Sequence, residues 1–443
     1  MRHGSRPTPH FHSPRARPAR IVAAIPKPLL LMKHRPPTSP PSRREFLATT
    51  AAGLAATALP NFSLAADPAP APPAPAPPAA KFRAAIFGHT GRGDYGHGMD
   101  AVFNDRPDVE VVAVADPDPA GRAKAVARTK APRHYADYRE LLAQEKPQLV
   151  SLALRHSDQH HALGLAALQA GAHIYSEKPF TTTLAEGDEL LALAAQKNLR
   201  IAVAHQMRLA PNVVHLQQAI AAGLLGDLVE IRAHGKQDAR AGGEDMIVLG
   251  SHLFDLLRLF AGDPVSCSAR VLQGGRDITP ADAHEVRDRV GLIAGDEVLA
   301  QFAFANGVHA SFTSRAKLRE HVGHWGLEII GTKGVARLNA NIPPHIFILK
   351  TTGWKTDGRA DEWRPLESDP SLTLPAATQG FTAANARVVD DLLQSIRDRR
   401  EPACSGHNAL RAIEMVHAVY HAALTARRVP LPLTLRTHPL AAP

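Results

Sequence analysis

The sequence predicts an α/β protein in which an N-terminal parallel-sheet domain is followed by an α+β domain with a largely antiparallel, open sheet. Three observations carry this. The chain has 443 residues, beyond the ~250–300 at which a single core stops growing. From Lys81, short apolar runs alternate with amphipathic helices, the pattern of a parallel sheet covered on both faces. After Leu228, strands joined by turns such as "FANGV" and "GTKGV" replace that alternation, the pattern of hairpins.

The segment ahead of Lys81 reads as an address. Of 51 Lys/Arg, ten fall in residues 1–45 against the single acid Glu45, which leaves 41 basic and 41 acidic residues in the remainder. The formal charge of +9 is confined to this leader, and no basic field is left for nucleic acid. "SRREFLATTAAGLAATALP" places Arg43 and Arg44 before an uncharged stretch from Phe46 to Pro60. That stretch is shorter than the ~20 residues of a membrane span, so no stable membrane anchor is expected. It fits a signal h-region, with Ser63, Leu64 and Ala65 as the cleavage site. The arginine pair matches a twin-arginine signal, read by a translocon that exports folded proteins. Residues 1–65 are therefore expected to be a leader and the protein to be periplasmic. Residues 66–80, rich in Ala and Pro, form an extended linker. Cys267 and Cys404 make no disulfide framework and are expected as buried thiols.

The first domain is expected over residues 81–205. "KFRAAIFG" is a strand ending at Gly88, and "HTGRGDYGHGMDAVFN" is a glycine-rich turn running into a helix. "VEVVAVAD" is the second strand and ends in Asp116. Strand "PQLVSLAL", helix "DQHHALGLAALQAG" and strand "AHIYS" follow, then helix "LAEGDELLALAAQKN" and strand "LRIAVAH". Ligands of such sheets bind beyond the carboxyl ends of the strands, where Gly88, Asp116, Arg155, Glu177 and Lys178 fall. His160, in "RHSDQHH" after Arg155, is a further cleft candidate, whereas His161 is expected on the helix surface. The turn departs from G-x-G-x-x-G, with Gly88, Thr90 and Gly93 at the key positions and Gly91 added. Thr90 stands where backbone must approach a pyrophosphate, and its hydroxyl is expected to donate to phosphate instead. Gly88, Thr90, Gly91, Arg92 and Gly93 are thus candidate cofactor-binding residues. Asp116 is the candidate acceptor for ribose hydroxyls and would repel a 2′-phosphate, so NAD is expected over NADP.

The second domain is expected over residues 206–380, with helices in 381–430 packing back on the first domain or the junction. "LGDLVEIRAHGK" is a strand and "EDMIVLGSHLFDLLRLFAG" one long helix. Strands follow around 265–274, 297–305, 307–315, 324–331, 334–340 and 345–351. Asp245 and His252, two turns apart on one helical face, suit the grip of one polyol. The open sheet is expected to join copies into a homo-oligomer. His321 and His324 in "HVGHW" have no third ligand spaced nearby, so no metal is expected. Trp325 and Trp354 suit either stacking on a sugar ring or core packing.

"AALQAGAHIYSEKP" and "GSHLFDLLRLFAGDP", in this order of domains, resemble the Gfo/Idh/MocA oxidoreductase family, relatives of glucose–fructose oxidoreductase and inositol dehydrogenase, over residues 81–430. The resemblance implies a Rossmann-type NAD-binding domain and a sugar or polyol substrate. It puts Lys178 between nicotinamide and substrate as general acid/base, and His252 facing the substrate as a second proton carrier. Asp255 of the same helix, Arg208 and Asp245 join them as substrate-binding candidates. The family often has an aspartate four residues before this histidine. Here Val248 stands there, and the usual carboxylate partner is missing. Export adds the expectation that NAD is held tightly and regenerated in place. A second substrate would take the hydride, or it would return to the same sugar after an elimination, as in NAD-dependent glycosidases. A non-catalytic sugar-binding role is the third reading, encouraged by Thr90 and Val248.

Overall fold

Six parallel strands form the first sheet: β1 (Phe82–Phe87), β2 (Val109–Ala115), β3 (Arg133–Tyr135), β4 (Leu149–Leu152), β5 (His173–Ser176) and β6 (Ile201–Val203), in the order β3-β2-β1-β4-β5-β6. The computed structural model describes residues 80–316, 325–352, 362–366 and 380–441. The leader with Arg43 and Arg44, the linker up to residue 79, His321, His324 and Trp354 lie outside the described residues. Helices α1 (Pro119–Thr129), α2 (Tyr138–Glu145), α3 (His160–Gln169) and α4 (Leu184–Gln196) make the crossovers. Their starts are written locally. Asp118 caps α1 by accepting from the Gly121 N–H, with Pro119 in the first turn. Thr183 and Glu186 form a reciprocal capping box on α4. Strand order reverses between β1 and β4, which places the ligand crevice of this sheet beyond their carboxyl ends.

The β1–β2 connection corrects the sequence reading. Among the described residues 88–108 there is no helix, only successive turns. Gly91, Gly93, Asp94, His97, Gly98 and Asp105 all have positive φ. A right-handed helix cannot run through so many left-handed residues. The glycines that suggested a phosphate loop are themselves what prevents the helix behind it.

The second sheet has ten strands. Helix α5 (Pro211–Ala221) leads to β7 (Leu228–His234), and a helical run follows as α6 (Gly242–Asp245), a π-helical turn (Met246–Gly250) and α7 (Ser251–Ala261). Then come β8 (Pro264–Gln273), β9 (Arg276–Asp277), a two-stranded ribbon of β10 (His284–Glu285) and β11 (Leu292–Ile293), and β12 (Glu297–Phe304). They are followed by β13 (His309–Arg315), β14 (Gly326–Gly331), β15 (Val335–Asn339), β16 (His345–Leu349) and β17 (Arg364–Pro365). Two long helices, α8 (Gly380–Asp398) and α9 (Gly406–Thr425), and the short strand β18 (Val429–Pro430) complete the chain. The order is β17-β16-β15-β14-β7-β13-β12-β8-β18, with β9 paired to β8. All of its pairs are antiparallel except β7 with β13. Burial alternates along β12 and β13, so one face is packed and the other open. On the packed face, Phe254 of α7 meets Phe302 and Phe312 edge-on at 5.5 and 5.0 Å. A Cβ at Gly250 would fall 3.0 Å from the Phe312 ring, so a glycine here lets the helical run sit close to β13.

The last helices tie the two sheets together. Val388, Val389, Leu392 and Leu393 of α8 share one core with Ile86, Val114 and Leu149 of the first sheet and with Met99 and Phe103 of the turn segment. They cover the face that a helix after β1 would otherwise occupy. Helix α9 packs on β8, α7 and α4.

Candidate functional site

A cleft of about 300 Å³ opens where the ends of β5 and the helical run face each other. Lys178, at the end of β5, is 8 % exposed, and its Nζ donates to the Val248 carbonyl at 2.8 Å. An ammonium carries three N–H donors, and Val248 takes one. Burial lowers the lysine's pKa below its ordinary value, partly offset by the Glu177 charge. Glu177 is fully buried. Its carboxylate accepts from the Lys178 backbone N–H at 2.8 Å and pairs with His97 Nδ1. Burial opposes its charge, but the His97 hydrogen bond, with the charges of His97 and Lys178, holds its pKa below the ordinary value.

His252 enters the cleft from the first turn of α7. It is 7 % exposed, and its Nδ1 has no hydrogen-bond partner among the described residues. Burial, then the neighbouring Lys178 and His205, push its pKa well below the ordinary value, so the ring is a neutral base or donor. Trp325 meets it edge-on with ring centroids 6.1 Å apart and also lines the cleft.

Several expected residues lie elsewhere. Asp245 is fully buried and accepts from Ser314 Oγ (2.6 Å), Gln237 N (3.0 Å) and Lys236 N (3.2 Å), so it braces a loop and does not face the cleft. The π-helical turn explains this. Its wider turn rotates Asp245 off the face that carries His252, and the two-turn alignment of a regular helix is lost. Asp255 and Arg208 form an internal ion pair, with Arg208 Nη2 2.7 Å and Nε 3.0 Å from the carboxylate oxygens, behind His205 and off the cleft. The His160 ring lies 2.8 Å from both the Pro179 and Leu154 carbonyl oxygens. It ties the turn after β5 to the end of β4 and does not line the cleft.

At the nucleotide end, Arg155 lines the cleft and its Nε donates to the Gly93 carbonyl at 3.3 Å. Asp116 is fully buried and takes the Thr90 hydroxyl (2.7 Å), the Thr90 N–H (3.2 Å) and the Asp118 N–H (2.9 Å). Tyr95 lies beside it, and burial followed by the Asp116 charge raises the phenol's pKa. A Cβ at Gly88 would fall 2.1 Å from the Tyr95 ring. Gly91 N donates to Asp94 Oδ1 at 2.8 Å, and Arg92 pairs with Asp158 at 2.5 Å. The structure thus separates two ends. The Lys178 end has unspent donors facing open space and fits a nicotinamide and its substrate. At the Asp116 end the chain's own groups hold the acceptors that a ribose would need, so this conformation does not fit the rest of a dinucleotide.

Sequence reasoning missed His97, His205, Lys236, Arg240 and Asp288. All but His205 line the cleft. His97 was legible only as one more residue of the glycine turn, and Lys236, Arg240 and Asp288 sit in connections without a motif. Among the described residues no cluster of His, Cys, Asp or Glu has the arrangement of a metal site. No described helix is long and apolar enough to cross a membrane. Cys267 and Cys404 are free and buried.

A parallel sheet with a lysine–histidine cleft at its carboxyl edge, joined to a one-face-open, mostly antiparallel sheet, is a Rossmann-type domain followed by an α/β domain. The family model described as an oxidoreductase family with an NAD-binding Rossmann fold, Gfo/Idh/MocA, matches residues 82–205, and its C-terminal α/β domain matches residues 218–431. The chain belongs to this family. It is 27 % identical over 285 residues to an uncharacterized oxidoreductase of Synechocystis, covering 60 % of this chain and 75 % of that one. It is 31 % identical over 247 residues to trans-1,2-dihydrobenzene-1,2-diol dehydrogenase of Bos taurus, covering 53 % of this chain and 67 % of that one. A levoglucosan dehydrogenase structure in complex with NADH and levoglucosan superposes with a TM-score of 0.63 over 80 % of this chain and 100 % of that one. Identity in that match is 20 %, and it bears on the fold alone.

Proposed function

We propose that this protein oxidises or reduces a hydroxyl-bearing carbon of a sugar or polyol with a nicotinamide cofactor, NAD in preference to NADP. The carrying observation is that Lys178 and His252, from different domains, face one cleft with their reactive nitrogens buried and incompletely paired. The name of one relative, a diol dehydrogenase, supports a hydroxyl-bearing substrate. Asp116 at the end of β2 supports NAD.

When bound, the cofactor supplies the hydride acceptor or donor. The chain's groups handle the proton and the orientation. Lys178, its pKa lowered by burial, takes the hydroxyl proton as the carbon–oxygen bond becomes a carbonyl, and returns it in the reverse direction. The Val248 carbonyl fixes the direction of Nζ. Neutral His252 holds a second hydroxyl, which keeps its proton, and relays onward the proton that Lys178 has taken from the reacting one. Trp325 offers an apolar wall for a ring. Export through the twin-arginine route, recycling of the cofactor in place, and a homo-oligomer formed through the open sheet face belong to the same proposal.

The test is to purify the protein without added nucleotide, release and identify any bound nucleotide, and then screen sugars and polyols for reduction of it in place. Bound NAD and a sugar-dependent absorbance change at the nicotinamide band support the reading. Release of an aglycone without any acceptor would move it to a glycosidase.

A further inference from the structure

The crevice beyond β1 and β4 is crossed by the chain itself. Arg155 N donates to the Gly93 carbonyl (3.1 Å) and Gly96 N to the Ala153 carbonyl (2.6 Å), so residues 93–96 run beside the extension of β4. His97 then reaches the end of β5 and pairs with Glu177. The His97 ring also packs on Phe381 at 4.6 Å, and Asn385 Nδ2 donates to its carbonyl at 2.9 Å. The packing is close. A Cβ at Gly93 would fall 2.7 Å from His156 N, and one at Gly96 2.4 Å from Glu177 Oε1. Tyr95 covers Gly88 and lies beside Asp116, the two positions that a dinucleotide would use at this edge.

The same segment is built to move. Gly91 (φ +81°) and Gly98 (φ +76°) bracket it, and a Cβ at either would meet nothing within 4 Å, so both ends have free space and glycine backbone freedom. Its other anchors are Tyr95, packed on the core under Arg128, and the exposed or partly exposed ion pairs of Arg92 with Asp158 and Arg155 with Asp94, the pairs each worth ~0–1 kcal/mol.

We propose that residues 92–97 are an intramolecular occupant of the nucleotide crevice, and that dinucleotide binds only in a second state in which they have lifted from β4 and β5. This rests on the reading of the site as nucleotide-dependent. In the lifted state Tyr95 leaves Gly88 and Asp116, a ribose hydroxyl displaces Thr90, which holds Asp116 from outside the segment, and Glu177 loses its His97 partner. The affinity observed for nucleotide is then the affinity of the open state reduced by the fraction of molecules that are open.

Gly96→Ala discriminates. Gly96 does not have positive φ, so alanine adds no left-handed strain, yet its methyl collides with the buried Glu177 carboxylate in the closed state alone. Nucleotide-stripped wild type and Gly96→Ala are titrated with NADH by fluorescence, and exchange of the Gly96 and Arg155 amides is followed in wild type with and without saturating NADH. The expected result is a Kd at least ~3-fold lower in Gly96→Ala, from a larger open fraction, and loss of protection at both wild-type amides on binding. NADH binding with an unchanged Kd and both amides still protected overturns the occupant and leaves the cofactor reading standing. If neither protein binds NADH, both fall: the crevice is permanently filled, and the Lys178 cleft takes a sugar without nucleotide. The wild-type exchange measurement decides the case even if Gly96→Ala does not fold.

Discussion

His205 and His252 meet edge to face with ring centroids 5.3 Å apart, and each has a buried nitrogen, Nε2 and Nδ1 respectively, without a hydrogen-bond partner among the described residues. The other nitrogen of His205, Nδ1, lies 3.7 Å from Asp255 Oδ1. Asp255 is in turn fixed by Arg208. The carboxylate that Val248 denies to His252 is thus present one ring further away. His205→Phe keeps the ring packing and removes the connection. It is expected to lower turnover about 10-fold, less than the ~10²–10⁴-fold of a group that transfers the proton directly, with little change in KM. Because His205 helps to depress the pKa of His252, the acid limb of the pH–rate profile should move to higher pH. A change in stability with an unmoved profile would reduce His205 to packing.

Lys178→Met preserves length and apolar stem but removes the proton carrier. Turnover on a substrate, once identified, is expected to fall about 10²–10⁴-fold, while nucleotide remains bound. Retained full activity would make the lysine a structural ligand of the Val248 carbonyl.

Acid should weaken the fold through two histidines held neutral, half-buried His173 and buried His438. His173 Nδ1 accepts the Arg200 N–H at 2.9 Å and His438 Nδ1 accepts the Leu440 N–H at 3.2 Å. Burial lowers each to about 4, assisted at His173 by the Arg200 charge. Between about pH 6.5 and 4 the unfolded chain binds these protons and the native state does not, so stability falls as pH falls through that window. The loss is up to about 3 kcal/mol per histidine. Urea unfolding at pH 7, 5.5 and 4.5 checks it. His173→Gln, whose amide oxygen still accepts from Arg200, should flatten the slope.

Changing Arg43 and Arg44 to Lys is expected to leave full-length precursor in the cytoplasm, because the translocon reads the guanidinium pair. Fractionation and immunoblotting decide it. Undiminished periplasmic accumulation of the double variant would remove the twin-arginine assignment.

Much of the fold was legible because its signals are local. The apolar runs at β1, β2, β4, β5 and β6 and the turns between β12 and β16 lie in sequence where the structure has them. Lys178 and His252 were legible because each sits in a motif that the family resemblance placed. What escaped depends on through-space geometry. Nothing in "HTGRGDYGHGMDAVFN" states that its glycines adopt positive φ in series, which removes the expected helix. Nothing in "EDMIVLGSHLFD" states that one turn widens into a π-helix, which carries Asp245 away from His252. Asp255 and Arg208 read as candidate ligands because charge in a motif is visible in sequence, whereas their mutual pairing is not. His205 was passed over because a histidine closing a strand carries no periodicity of its own.

Asn385 of α8 accepts from the Tyr175 hydroxyl (2.8 Å) and Gln206 Nε2 (2.7 Å) and donates to the His97 carbonyl (2.9 Å). The first sheet therefore lacks its covering face, and residues 92–97 lack one of their anchors, until the ribosome has made almost the whole polypeptide. The nucleotide-binding half cannot mature as it emerges. At a synthesis rate of ~5–20 residues per second, the strands of that half are outside the ribosome for tens of seconds before it is complete. The folded export proposed above would require the precursor to be withheld through this interval. Completion of the crevice edge and burial of α8 then become one late event in the life of the molecule.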